Sequence, residues 1–154
     1  MVRPILEYAS SVWDPHEEQD KHALEMVQRR AARFAFNNYF ETTPGVVTNM
    51  LTSLGWPTLE ERRRNNRLIM LFKIQHNLVG IDPTRYLTDS DARTRGSKFR
   101  QDQTYHRAIW HTFFPRTTSE WNHLPMNTSS APSLEVFRSR LSGSSHQLPR
   151  VGNP

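Results

Sequence analysis

The side chains with the most chemistry to offer are arginines, and they cluster. Against 15 acidic residues stand 20 basic ones, of which 17 are Arg and 3 are Lys. They gather as Arg29, Arg30 and Arg33, then Arg62, Arg63, Arg64 and Arg67, then Arg93, Arg95, Lys98, Arg100 and Arg107. A guanidinium is a planar fork of donors that grips a phosphate with two hydrogen bonds and stacks on bases, so a bias toward Arg points to an anionic polymer. Tyr39, Phe40, Tyr105 and Trp110 lie near these clusters. Rings of this kind are the usual complement to phosphate contacts on RNA and single strands. The candidate contact residues are Arg29, Arg30, Arg33, Arg62, Arg63, Arg64, Arg67, Lys98 and Arg100. The competing reading of the same residues is a solvated outer face, with Arg paired to Glu60 and Glu61 and the rings buried in a core.

Constellations for bond chemistry are missing from the sequence. His16-Glu17-Glu18 has Asp20, not His, at the position a zinc-protease helix would need. His106 and His111 are five apart and fall off one helical face. Asp89-Ser90-Asp91 offers two carboxylates without a third nearby and reads as a solvated turn. With 6 Gly there is neither a glycine-rich phosphate loop nor a Gly-x-Ser-x-Gly elbow. The absence of Cys removes disulfides, thiol nucleophiles, zinc fingers and iron–sulfur sites. The sequence therefore leads us to expect no catalytic residue, no metal and no cofactor.

A chain of 154 residues forms one core and buries roughly 68–70% of its unfolded surface. Mean hydropathy is −0.72, and no apolar run approaches the ~18 residues that span a bilayer. Met1 to Ser10 has no apolar signal region followed by small residues. These features predict a soluble intracellular protein, nuclear or cytoplasmic, without a membrane partner. Its net charge of +5 and pI near 10.1 fit an acidic partner, and also fit ordinary solubility.

The elements that must carry the arginines are helices. Asp14-Pro15 reads as a helix start, with Glu17, Glu18 and Asp20 favouring the positive end of the dipole. Leu24, Val27, Ala31 and Phe34 then draw an apolar stripe toward a stop at Asn37-Asn38, placing Arg29, Arg30 and Arg33 on the other side. Thr43-Pro44 opens a second helix, through about Ser53, closed at Leu54-Gly55. Thr58 and Glu61 form a capping box for a third that meets no Gly or Pro until Gly80. Its apolar positions are Leu68, Leu71, Phe72, Gln75, Leu78 and Val79, and its first half, Glu60 to Arg67, is polar all round and so predicted to stay outside the core. Residues 82–112 read as a long, irregular, exposed loop. Phe113-Phe114-Pro115, Trp121 and Leu124-Pro125 form a cluster that packs back on the helices, with a short turn over Thr117 to Asn122. Pro132-Ser133 begins a last helix with Leu134, Phe137 and Leu141 as its apolar face and Gly143 as its end. The expectation is a mainly α, small irregular bundle over 1–142 and a disordered tail over 143–154.

Whole phrases add to this. The run Arg3-Pro4-Ile5-Leu6-Glu7-Tyr8-Ala9-Ser10-Ser11-Val12-Trp13-Asp14-Pro15, followed by Leu24-Glu25-Met26-Val27-Gln28-Arg29-Arg30-Ala31-Ala32-Arg33-Phe34, resembles the region after the polymerase core in reverse transcriptases of animal LINE-type non-LTR retrotransposons, the jockey-like group included. The resemblance continues through Leu54-Gly55-Trp56-Pro57-Thr58-Leu59-Glu60-Glu61-Arg62-Arg63, Lys73-Ile74 to His76, Phe113-Phe114-Pro115-Arg116-Thr117 to Trp121-Asn122, Leu124-Pro125 and Ala131-Pro132-Ser133-Leu134-Glu135 to Phe137. It covers about residues 3 to 142 in order.

Such proteins join an endonuclease to an RNA-directed DNA polymerase. The polymerase needs Tyr-x-Asp-Asp and a further Asp for two metal ions, and no such motif stands in this chain. The resemblance thus implies an all-helical, noncatalytic C-terminal segment whose partners are template RNA or target DNA and the polymerase core of the parent protein. Met1-Val2 sits abruptly before the first matching phrase, as expected of a truncated element or a frame read from a fragment. The alternatives are a structural docking module for the polymerase core and a nonfunctional remnant of a decayed element.

Overall fold

The computed structural model describes residues 10, 14–90, 98–100 and 112–144. Among them are six α-helices, α1 (Glu18–Ala35), α2 (Val46–Ser53), α3 (Leu59–Gln75), α4 (Phe113–Asn122), α5 (Met126–Ser129) and α6 (Leu134–Ser144), with a 3-10 turn at Pro83–Arg85. No strand occurs among the described residues, only one antiparallel bridge between Asp89 and Phe99. The chain packs as two compact units, 1–64 and 65–154, and the boundary falls within α3.

In the first unit, Ala32 of α1 packs with Val47 and Met50 of α2, and Val46, Leu51, Leu54 and Trp56 close around them. Gln28 is the other buried residue of α1. The buried line is therefore Gln28 and Ala32, one turn apart. It is rotated from the predicted stripe: Phe34 is 75% exposed. Gln28 explains the rotation, because its amide donates to the carbonyl of Pro57 at 2.9 Å and accepts from Arg62 Nη1 at 3.4 Å. An apolar count cannot see a buried amide whose hydrogen bonds are satisfied.

Helix α1 also starts later than predicted, at Glu18. Asp14 does not cap it, since its carboxylate accepts from Arg63 Nε at 2.7 Å. Helix α2 begins after Gly45, which takes φ +88° at its N-cap, two residues beyond Thr43-Pro44. The start of α3 follows the prediction: Thr58 Oγ1 accepts from the Glu61 amide at 3.1 Å. Glu25 of α1 adds a second cap by accepting from the Glu60 amide at 3.0 Å. Two amides that lack helical partners are satisfied in this way.

The first half of α3 does not stay outside the core. Leu59, Arg63 and Arg67 are buried at four-residue spacing and lead into Leu71. Two arginines occupy core-facing positions because each meets a carboxylate within its own unit, and their alkyl stems supply apolar surface. The helix stops at Gln75 rather than near Gly80, because Asn77 adopts φ +54° and the Leu78 amide returns to the Lys73 carbonyl at 2.8 Å.

In the second unit, Trp121 is the hub of a core made with Leu68, Leu71, Phe72, Phe99, Leu124, Ala131, Phe137 and Leu141. Its ring lies 5.4 Å from Phe137, 5.9 Å from Phe99 and 6.5 Å from Phe72. Helix α4 starts at Phe113 and so exceeds the short turn predicted. Pro115 sits in its first turn, where no amide is required, and the buried hydroxyls of Thr117 and Thr118 bond to the carbonyls of Phe113 and Phe114. Phe99 corrects the picture of an exposed loop. Asn122 holds it by accepting from its amide at 2.9 Å and donating to its carbonyl at 2.8 Å. In α6, Ser133 Oγ accepts from the Val136 amide, and Gly143 lies within the helix rather than ending it. The rest of the expected tail lies outside the described residues, as does most of the loop, including Arg93, Arg95, Tyr105, Arg107 and Trp110.

Candidate nucleic-acid interface

The nine candidate residues divide by environment. On α1, Arg30 is exposed and Arg29 and Arg33 are half-buried. At 100° per residue, Arg30 lies roughly opposite the line of Gln28 and Ala32, and Arg33 and Phe34 flank it. No carboxylate pairs with Arg29, Arg30 or Arg33 among the described residues. Arg33 is nevertheless oriented, since its Nη1 donates to the Asn38 carbonyl at 3.3 Å.

Arg62, Arg63, Arg64 and Arg67 do not form a second outward cluster. Arg63 is buried with Asp14, the two side chains being 2% and 7% exposed. Arg67 donates to Glu120 at 2.6 Å, and Arg116 stands 3.8 Å from the same carboxylate oxygen. Burial pulls the Arg67 pKa below the ordinary guanidinium value, the charge of Glu120 opposes that, and the neighbouring Arg116 adds to it. Arg62 reaches the inner side of α1 at Gln28, and Arg64 is half-buried with interactions of its own. Lys98 and Arg100 belong to the second unit beside the bridge, where the Ser90 amide donates to the Lys98 carbonyl and the Arg100 amide to the Thr88 carbonyl. Their side chains are half-buried and exposed respectively.

The nine cations are thus not one surface. Guanidinium groups buried against carboxylates cannot meet a phosphate, and the residues that remain available in the first unit centre on α1. Sequence reasoning missed one neighbour of Arg30, Phe34, by assigning it to the core stripe. The signal was present in Gln28 and Ala32, whose spacing puts Phe34 on the opposite face.

Among the described residues, no three His, Cys, Asp or Glu side chains gather as a metal site. No helix there is long and apolar enough to cross a membrane. No protein-family model, curated protein or solved structure matches the chain.

Proposed function

We propose that the chain is the noncatalytic C-terminal segment of a LINE-type reverse transcriptase and holds RNA or DNA by its phosphates. The family half of this reading rests on the ordered phrases between residues 3 and 142. The binding half rests on one observation. Arg29, Arg30 and Arg33 of α1, half-buried, exposed and half-buried in turn, stand without a carboxylate partner among the described residues, whereas Arg63 and Arg67 are taken up by the fold. Charges left uncompensated on a rigid helix are preorganised for an anion, because no internal pair must break before binding.

The test is fluorescence anisotropy of the full chain with a labelled single-stranded RNA, comparing wild type with the triple variant Arg29→Gln, Arg30→Gln, Arg33→Gln. Helical content should be preserved, since none of the three is fully buried, and melting should fall only slightly with loss of the bond from Arg33 to the Asn38 carbonyl. Affinity should fall about tenfold or more at low salt, as expected when several phosphate contacts are removed together. Unchanged affinity would overturn the assignment to α1. Docking of the polymerase core without any nucleic-acid binding would replace it with a structural module.

A further inference from the structure

Four aromatic rings stand in solvent at the end of the helix that carries Arg29, Arg30 and Arg33. Phe34 is 75% exposed, Phe36 46%, Tyr39 49% and Phe40 93%. Single exposed rings are ordinary, but here four fall within seven residues, next in sequence to arginines that no carboxylate pairs with among the described residues. They are held there by structure. Asn37 takes φ +50°, its amide returns to the Phe34 carbonyl at 3.1 Å, and the Asn38 amide returns to the Arg33 carbonyl at 3.0 Å. Asn38 then folds the next residues over, accepting from the Glu41 amide at 3.3 Å and donating to the Glu41 carboxylate at 2.6 Å. Arg33 braces the same turn through the Asn38 carbonyl. A turn with this many internal bonds presents Tyr39 and Phe40 outward as a built feature.

We propose that this end of α1 is a stacking platform for the bases of a single-stranded nucleic acid, whose phosphates run along Arg29, Arg30 and Arg33. The inference rests on the phosphate-binding reading and adds the class of strand. Charge selects the occupant: the acid within the patch, Glu41, is occupied by Asn38, so an apolar protein surface would bury three uncompensated guanidinium groups. A polyanion with flat, apolar bases satisfies both halves of the patch at once. A duplex satisfies only one, because its base faces are already stacked and rings have nothing to lie against.

Three labelled probes distinguish the outcomes: a single-stranded RNA, the DNA strand of the same sequence, and the corresponding duplex. Both single strands should bind the full chain more tightly than the duplex. Phe34→Ala and Phe40→Ala should each weaken single-strand binding by about fivefold or more and leave duplex binding unchanged, the range expected for loss of one stacked base. Phe40→Trp should retain binding, while Phe40→Leu, which keeps apolar area without a ring, should behave like Phe40→Ala. Equal affinity for duplex and single strand, or a Leu variant as good as Phe, would overturn the platform. If the arginine triple variant still loses affinity while the rings prove irrelevant, the phosphate-binding reading survives and the platform falls. If neither strand nor duplex binds, and the Ala variants instead lose the polymerase core, both fall.

Discussion

Arg63 and Arg67 differ in what their removal leaves behind. Deleting one partner of a buried ion pair strands the other charge in a poor solvent, which typically costs about 3–5 kcal/mol. Arg63→Met leaves the Asp14 carboxylate, 7% exposed, with its Nε contact gone. Arg67→Met leaves Glu120, which is 23% exposed and keeps Arg116. Urea unfolding should therefore show a loss of about 3–5 kcal/mol for Arg63→Met and a clearly smaller one for Arg67→Met. Equal, negligible losses would mean that neither pair is buried in solution. The distinction between a binding arginine and a folding arginine was partly legible. The four-residue spacing of Leu59, Arg63, Arg67 and Leu71 marks one helix face, but the partner that decides the matter, Asp14, lies in a segment far upstream. The spacing separates Arg63 from Arg62 and Arg64 but does not reveal which acid it meets.

At the level of elements, helix ends carry the most testable chemistry. Three helices stop on a left-handed residue: α1 at Asn37, α2 at Gly55 and α3 at Asn77. In each case two amides turn back to carbonyls of the last turn, as with Gly55 to Thr52 at 3.0 Å and Trp56 to Leu51 at 2.9 Å. A Cβ at Gly55 would meet nothing within 4 Å, and the backbone stands at φ +61°. Gly55→Ala should thus cost about 1 kcal/mol from the backbone alone. A measurable drop in melting temperature checks this, and an unchanged one would contradict the left-handed stop. The stops at Gly55 and Asn37-Asn38 were legible because glycine and asparagine tolerate that conformation. The stop at Asn77 was overlooked because Leu78 and Val79 continue an apolar rhythm past it. Core helices were legible from periodicity in α6 and the later half of α3. The burial of Phe99 was not, since it depends on a clamp from Asn122, a residue distant in sequence.

On the scale of the molecule, a charge of +5 describes solubility as readily as recognition. What matters is how many cations remain after the fold has used its share. Two of the nine expected contact residues lie in buried pairs with carboxylates, and three stand on α1 without a carboxylate partner among the described residues. That division makes the binding term countable through counterion release, which is about 0.7 ions per phosphate contact on a single strand. The decisive measurement is the affinity of the full chain for single-stranded RNA across a salt series at constant pH. Three contacts on α1 predict that log affinity falls against log salt with a slope of about −2. A slope indistinguishable from zero would contradict phosphate recognition by this chain.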